Sequence, residues 1–350
     1  MQRKILILGA SYGSLFGTKL LMAGHAVTLV CTESTAALIN REGTVVRFPI
    51  KGREGLVDIS SKSLPGKLAA AAPDDVNPEG YDLVVLGMQE SQYGTKGVRE
   101  LMGRIATARV PCLAIMNMPP LTYLQRIPGL KTDALTKCFT DPAVWNGFEP
   151  GLVTLASPDP QAFRPPEHGK NVLQVGLPTN FKAARFSKDA PTSLLRELET
   201  GIDAARFDSI EIPVKLKVHD SIFVPLAKWP MLITGNYRCI TAHGPIPIRD
   251  AVHGDIAKSK SVYEWASQLC QKLGADPEDL VPFEKYAKAA EDLGKPSSAA
   301  RALFSGAAHI ERVDCLVAKI AAAQGRNSDM LDQTVKLVDA QLAKNRAGAA

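Results

Sequence analysis

The chain has 350 residues, 45% of them hydrophobic and 22% charged, which is the composition of a globular protein with room for two domains. A formal net charge of +5 without a block of basic residues argues against a nucleic-acid partner. The six cysteines lie far apart and include no C-x-x-C pair, so their spacing predicts no metal site and no disulfide framework and favours a reducing cytoplasm.

The first predicted elements form a strand–helix–strand unit. KILIL (4–8) and AVTLV (26–30) are short apolar runs typical of buried strands, and residues 13–24 between them have the length of a helix. The apolar run at 5–8 is too short for the hydrophobic region of a signal peptide. The unit predicts an α/β fold with a Rossmann-like, doubly wound parallel sheet that carries helices on both faces.

A glycine-containing turn, GASYG (9–13), joins the first strand to the helix. The usual dinucleotide fingerprint, G-x-G-x-x-G, lets backbone N–H groups approach a pyrophosphate at a helix N-terminus. Here the loop is one residue shorter, and Ser11 replaces a glycine but brings a hydroxyl that can donate to a phosphate. We expect Gly9, Ser11, Tyr12 and Gly13 to bind NAD or NADP; the alternative is a tight turn that binds no ligand.

The end of the second strand, which contacts the adenosine ribose in such folds, leaves the choice of cofactor open. An acidic residue there favours a free 2′-hydroxyl and therefore NAD, and Glu33 is the candidate. Thr32 and Ser34 carry hydroxyls that could instead donate to the 2′-phosphate of NADP.

Strand signals continue through YDLVVLG (81–87) and PCLAIMN (111–117). Residues 143–180 are rich in proline and glycine, which predicts loops and short strands. The first domain, residues 1–212, is therefore expected to be the dinucleotide-binding one.

After residue 212 the pattern becomes helical, which predicts an all-helical substrate domain at 213–350. The most apolar stretch, 221–240, is interrupted by prolines and charged residues, so it predicts no membrane span. One apolar stripe at helical spacing is expected to face the core of this domain: Ile310, Val313, Val317 and Ile320.

The run KILILGASYGSLFGTKLLMAGHAVTLV, followed by ALINREGTVVRF, resembles the N-terminal half of the ketopantoate reductase family. The resemblance continues to Asn117, which matches an asparagine that the family follows with glycine, and here Met118 stands in that place. It implies that Asn117, Gln89 and Thr32 contact the cofactor. The family often has Arg where Thr32 stands and Lys near Gln89, so these departures weaken its NADP preference; NADP is slightly favoured by the resemblance alone.

In the helical half, AKWPMLITGNYR supplies Lys228, Leu232 and Asn236 where the resemblance implies a Lys followed by two Asn, four and eight residues later. Residues at this spacing lie near one another on a helix, so Lys228 and Asn236 could line one cleft. Desolvation of a Lys in an apolar run lowers its pKa, so that it can protonate a ketone oxygen as general acid. The alternative is a Lys whose charged end reaches water. Leu232 in place of the first Asn implies a more apolar substrate pocket than ketopantoate needs.

The run KPSSAARALFSGAAHIERVDCLV resembles the family's serine-containing helix, which ends in an acidic pair. Ser298 matches the serine that contacts substrate. Glu311 is expected to be the substrate-side carboxylate, although Asp314 also fits the pattern, and a solvated helix face remains the alternative for either.

These observations favour an NAD(P)H-dependent reductase of a 2-oxo acid or related carbonyl, with Lys228 as general acid and Asn117 and Glu311 assisting. Its partners would be a small-molecule substrate and a second copy in a homodimer, without nucleic acid or membrane. Two other functions stay open. An opine-type dehydrogenase would reduce an imine formed from an oxo acid and an amine, and a dinucleotide-binding sensor would not turn over at all.

Overall fold

The structure, a computed structural model, describes residues 1–348. It divides into two compact units. The first comprises residues 1–88, 92–123 and 143–220, and the second comprises residues 89–91, 124–142 and the described residues from 221 to 348.

The first unit contains twelve strands and five helices. The strands are β1 (Lys4–Leu8), β2 (Ala26–Val30), β3 (Val45–Pro49), β4 (Leu56–Ser60), β5 (Lys67–Ala71), β6 (Leu83–Leu86), β7 (Cys112–Ile115), β8 (Val153–Ser157), β9 (Gln161–Phe163), β10 (Val172–Leu177), β11 (Phe181–Ala184) and β12 (Leu216–His219). The helices are α1 (Tyr12–Met22), α2 (Glu33–Glu42), α3 (Val98–Ala108), α4 (Leu121–Leu124), which reaches one residue into the second unit, and α5 (Asp189–Ala204).

Eight of these strands form one sheet in the order β12-β11-β8-β7-β6-β1-β2-β5. The six strands from β5 to β8 are parallel, and β11 and β12 run antiparallel to them. The prediction of a doubly wound parallel sheet is therefore confirmed for six strands, with two reversed strands added at one edge. The chain continues from β1 to β2 on one side and from β6 to β7 on the other, so the strand order reverses between β1 and β6.

A second sheet, not predicted from the sequence, has the order β4-β3-β10-β9. Helix α1 packs against both sheets: Leu15, Phe16 and Leu20 share one buried cluster with Ile5 of β1 and Val46 of β3. Every residue of α1 after Tyr12 is buried, as expected for a helix that is covered on all sides. The N-terminal end of α1 is consequently held in a fixed position.

Within the residues that the structure describes, the second unit is helical apart from a hairpin of two short strands. Its helices are α6 (Lys228–Met231), α7 (Ile248–His253), α8 (Ile256–Lys272), α9 (Phe283–Ala290), α10 (Ser298–Phe304), α11 (Val313–Ala323) and α12 (Asp329–Gly348), and its strands are β13 (Ile240–Thr241) and β14 (Gly244–Pro245). The predicted apolar stripe at Ile310, Val313, Val317 and Ile320 is buried, and α11 packs against α12. Across residues 1–348, no helix is long and apolar enough to cross a lipid bilayer.

The division between the units falls after Asp220 rather than after residue 212, because β12 pairs in parallel with β11 of the first sheet. Buried Lys19 of α1 fixes the segment before β12, since its Nζ donates to the carbonyl oxygens of Ile212 (2.7 Å) and Pro213 (3.1 Å). Burial lowers the pKa of Lys19 to about 7. Residues 1–212 would therefore lack strand β12 and one of the two carbonyl partners of buried Lys19.

Candidate active site

The glycine loop has a backbone that only glycine fits at its first position. Gly9 has a φ of +102°, in the left-handed region, and its N–H donates to the carbonyl of Val30 at the end of β2 (2.9 Å). A Cβ on Gly9 would lie 2.7 Å from Cγ of Met88 and 2.9 Å from the carbonyl oxygen of Gly87. The chain therefore turns sharply at Gly9 after the end of β1, and a side chain at this position would prevent the turn.

Gly13 allows helix α1 to begin immediately after this turn. A Cβ on Gly13 would lie 2.6 Å from Cγ2 of Ile7, so the helix approaches β1 as closely as its backbone permits. This is the close helix–strand packing that the last glycine of the fingerprint provides. The loop is one residue shorter than usual, yet it still leads from a buried strand to a helix N-terminus.

The N-terminus of α1 suits an anion. Its first turn has no acidic residue, and exposed Ser11 precedes it with no side-chain capping bond. The first N–H groups of a helix have no partners within it, and the helix dipole adds positive potential there. Tyr12 offers only its backbone, because its hydroxyl donates to the carbonyl of Pro160 and its ring packs edge-on against Phe181.

The carboxyl ends of β1, β6 and β7 lie next to one another, where the strand order reverses. Gly87 follows β6 and donates to the carbonyl of Leu8 (2.9 Å), and a Cβ there would come within 3.2 Å of that oxygen. Asn117 follows β7 and is partly exposed. In open α/β sheets, ligands bind at this kind of switch point. A local motif predicts a role for Asn117, whereas no sequence signal pointed to Gly87.

At the end of β2, Thr32 is exposed at the N-terminus of α2, and its hydroxyl contacts the hydroxyl of Thr35 (3.0 Å). Glu33 is the first residue of α2 and lies beyond the strand end. The hydroxyls of Thr32 and Ser34 lie 3.4 Å apart. No cation follows β2 directly in sequence.

Arg164 supplies a cation near this strand end, and the sequence analysis missed it. It follows β9 of the second sheet, and its guanidinium counteracts the burial that raises the pKa of Cys31, the residue after β2, to about 11. Burial lowers the pKa of Arg164 itself. Arg164 has no hydrogen bond or ion pair with any other residue in the described part of the chain. Its position depends on a strand pairing that no local motif signals.

In the second unit, Lys228 is the first residue of α6 and is partly exposed. Pro230 lies in the first turn of this helix, where its missing N–H costs nothing, so it does not kink the chain. The helix continues as a π-helix over Leu232–Tyr237, a wide turn that is frequent at functional sites. Lys228 and Asn236 are partly exposed, whereas Leu232 is only 3% exposed.

The end of the π-helix is fixed to two other segments. The Ser297 hydroxyl donates to the carbonyl of Asn236 (2.7 Å) and accepts from the N–H of Ala300 (3.1 Å), which caps α10. Ser298, the predicted substrate residue, is the exposed first residue of α10. Tyr237 donates to the carbonyl of Glu311 and accepts from the N–H of Val313 (3.1 Å).

Glu311 and Asp314 differ sharply in their surroundings. Asp314 is 0% exposed, and both of its carboxylate oxygens accept from Arg312, at 3.0 and 2.9 Å. Burial raises the pKa of Asp314 although Arg312 opposes the shift. Glu311 is partly exposed and accepts from the N–H of Glu90 through Oε1 (3.4 Å). Asp314 is thus engaged in a buried ion pair, which favours Glu311 as the carboxylate that can meet a substrate.

Glu90, another residue that the sequence analysis missed, connects two separate segments of the second unit. Its side chain is 2% exposed and accepts from the N–H (2.9 Å) and the hydroxyl (3.0 Å) of Thr140. Burial raises its pKa. Gln89 beside it is exposed. The charge of Glu90 gave no sequence signal, because its partner is fifty residues away.

The predicted residues therefore form two groups. Within the first unit, Gly9, Ser11, Tyr12, Gly13, Thr32 and Asn117 lie at or just after the carboxyl ends of neighbouring strands. Within the second unit, hydrogen bonds connect the π-helix that follows Lys228 with α10, Glu311 and Glu90.

No protein-family profile matches this chain, and no curated protein is detectably similar in sequence. Several solved structures are similar in fold. A protein from Ralstonia solanacearum described as a ketopantoate reductase superposes with a TM-score of 0.70 at 14% identity, covering 98% of this chain and 99% of that one. D-mandelate dehydrogenase with NADH and anilino(oxo)acetate gives 0.64 at 14% identity, with the same coverage. A dimeric ketopantoate reductase from Staphylococcus aureus gives 0.63 at 10% identity, again with 98% and 99% coverage. The fold that the resemblance implied is confirmed over nearly the whole chain.

Proposed function

We propose that the protein is an NAD(P)H-dependent reductase of a 2-oxo acid or a related carbonyl compound. The observation that carries this proposal is the meeting of Gly9, Gly13 and Gly87 where the strand order reverses, at the N-terminus of α1. A Cβ at Gly9 would collide with Met88 and the Gly87 carbonyl, and a Cβ at Gly13 would push α1 away from Ile7. The N–H groups of the first turn of α1 suit a pyrophosphate.

The cofactor would supply the hydride. The loop from Gly9 to Gly13 would hold its pyrophosphate through backbone N–H groups, and the amide of Asn117 would orient the reacting groups at the end of β7. The second unit would act on the substrate oxygen. Lys228 would donate a proton from Nζ as the carbonyl carbon is reduced, and the lysine would then recover a proton from water.

Glu311 would hold a donor group of the substrate, with Asn236 and Ser298 as further polar contacts. The other acidic candidate, Asp314, is buried in an ion pair with Arg312, which supports this role for Glu311. Leu232 replaces a polar residue of the resembling family, so we expect a 2-oxo acid with an apolar side chain. The fold shared with D-mandelate dehydrogenase, whose structure holds NADH and anilino(oxo)acetate, supports this substrate class.

We further propose that NADPH is accepted as well as NADH. Thr32 stands where the ketopantoate reductase family often has an arginine, and Arg164 supplies a guanidinium near the same strand end, that of β2. A guanidinium can bind a 2′-phosphate through two parallel hydrogen bonds. A homodimer is the expected assembly, by analogy with the dimeric enzyme from Staphylococcus aureus.

A substrate panel tests the proposed reaction. Purified protein is mixed with NADPH or NADH and a series of 2-oxo acids with aryl, branched-alkyl or hydroxylated side chains, each with and without an amine. We expect loss of the reduced-nicotinamide absorbance with the oxo acid alone, fastest for apolar side chains. Oxidation only when the amine is present would indicate an opine-type dehydrogenase. Cofactor binding without any oxidation would indicate a sensor.

A further inference from the structure

Two cysteines that are 177 positions apart in sequence meet in the second unit. Cys138 ends a 3₁₀ segment, Asp133–Cys138, and Cys315 is the third residue of α11. The Cys138 thiol donates to the sulfur of Cys315 at an Sγ–Sγ distance of 3.0 Å. A disulfide needs about 2.05 Å between the sulfurs, so a movement of about 1 Å would join them.

The two thiols differ in access and in charge environment. Cys315 is partly exposed, whereas Cys138 is only 4% exposed. The hydrogen bond from Cys138 lowers the pKa of Cys315, and the positive charges of Arg312 and Lys319 lower it further against burial and the carboxylate of Asp314. The pKa of Cys138 is raised by its hydrogen bond to Cys315 and by burial. This arrangement resembles that of a reactive thiolate beside a second, resolving thiol.

We propose that Cys315 and Cys138 form a reversible disulfide when the protein meets a hydroperoxide. The Cys315 thiolate attacks a peroxide oxygen, the O–O bond breaks, and a sulfenic acid forms as one hydroxide leaves and takes up a proton. The Cys138 sulfur then attacks the sulfenic sulfur, the S–O bond breaks, and water leaves. In sum, two thiols lose two electrons and two protons, and one hydrogen peroxide becomes two waters.

The position of the pair gives the bond a structural consequence. It would connect the segment before Thr140 covalently to α11. Thr140 holds the buried carboxylate of Glu90, and the N–H of Glu90 donates to Glu311. Oxidation would therefore restrain the segments that surround Glu311. This inference does not depend on the proposed reductase activity.

Peptide mapping of the full chain tests the proposal. The protein is reduced, freed of reductant, exposed to hydrogen peroxide, alkylated and digested without reduction. We expect one linked pair of peptides, containing Cys138 and Cys315, with a mass lower by two hydrogen atoms than the sum of the two, and dithiothreitol should separate them. Over-oxidation of Cys315 without a linked peptide would overturn the proposal.

Cysteine variants separate the two roles. Cys138→Ser should leave a sulfenic acid on Cys315 that reacts with dimedone, whereas Cys315→Ser should give neither a dimedone adduct nor a linked peptide. Cys31 is the matched control, because it is also partly exposed but burial raises its pKa to about 11. Alkylation of Cys315 should accordingly reach its full rate at a lower pH than that of Cys31. A Cys31 that reacts first, or a Cys31→Ser variant that loses the linked peptide, would contradict the assignment.

Discussion

The glycine loop of the first unit and the group around Glu311 in the second are built in opposite ways. The loop is a run of consecutive residues that joins β1 to the first turn of α1, and its shape follows from two positions, Gly9 and Gly13, where a side chain would collide with neighbouring atoms. Its donors belong to the backbone. A change of side chain, such as the serine in place of glycine at position 11, therefore does not alter the main feature of the loop. That feature is a helix N-terminus beside the end of a strand.

The group around Glu311 comes from side chains of four separate stretches of chain: residues 89–91, 133–142, 228–237 and 297–315. Hydrogen bonds hold these stretches together. No single stretch contains the arrangement. The glycine loop, whose donors belong to the backbone, is therefore best disrupted by adding a side chain. The group around Glu311 is best disrupted by removing a side-chain functional group.

The largest effect is expected at Lys228. Lys228→Ala should lower turnover by a factor of about 10² to 10⁴, the usual contribution of a positioned general acid, with cofactor affinity nearly unchanged. Lys228→Arg should not restore turnover, because guanidinium keeps its proton at working pH. Lys336→Ala, an exposed lysine of α12, is the matched control. A Lys228→Ala enzyme that keeps most of its turnover would show that Lys228 merely extends into solvent.

The two acidic residues should separate stability from activity. Asp314→Asn leaves Arg312 with only the exposed carboxylate of Asp339 as a partner and should lower the free energy of unfolding by about 1.5–3 kcal/mol, the range for hydrogen bonds to charged groups. Glu311→Gln should change stability little and should lower kcat/KM, because Glu311 is partly exposed. Denaturant unfolding and steady-state kinetics on both variants measure this contrast. The opposite result, with activity lost at Asp314 in a stable protein, would exchange their roles.

Two glycines on α1 should respond differently to the same substitution. Gly13→Ala should destabilise the protein by about 1–3 kcal/mol, because its Cβ would lie 2.6 Å from Ile7. Gly17→Ala should be neutral or should stabilise by up to about 1 kcal/mol, because its Cβ would make ordinary contacts at 3.5 Å and alanine favours the helix. Equal unfolding free energies for the two variants would contradict the close approach of α1 to β1.

The smallest effect concerns the cofactor's adenosine end. Arg164→Gln should raise the Kd for NADPH about tenfold, or about 1.4 kcal/mol, with little change for NADH. Thr32→Arg should shift the preference towards NADPH. Arg53→Gln, an exposed arginine between β3 and β4, controls for the loss of one positive charge. If wild-type protein rejects NADH by more than about a thousandfold, roughly 4 kcal/mol, the interpretation of Thr32 is wrong.

The elements predicted from the sequence are those whose signals are local. The β1–α1–β2 unit, the helical second half and the stripe from Ile310 to Ile320 follow from periodicity and length, and all are present. The turn at Gly9 is also a local feature, since it depends on positive φ.

What the sequence did not predict depends on pairings across long separations. Arg164 reaches the end of β2 from the unpredicted second sheet, and Glu90 meets Thr140 across fifty residues. Ser297, which the sequence did not single out, is buried at the start of α10 and donates to the carbonyl of Asn236. The units divide after Asp220 rather than near residue 212, and the strand Leu216–His219 between these positions pairs with β11 across more than thirty residues of chain.

The central claim is that the shortened glycine loop still holds a reduced nicotinamide dinucleotide. Isothermal titration of the full chain with NADPH and with NADH measures this directly, with Gly13→Ala and Gly17→Ala as a matched pair. We expect one site per chain, weakened by Gly13→Ala and preserved in Gly17→Ala. A folded wild-type protein that releases no heat with either dinucleotide, over the same range of temperatures, would contradict the account.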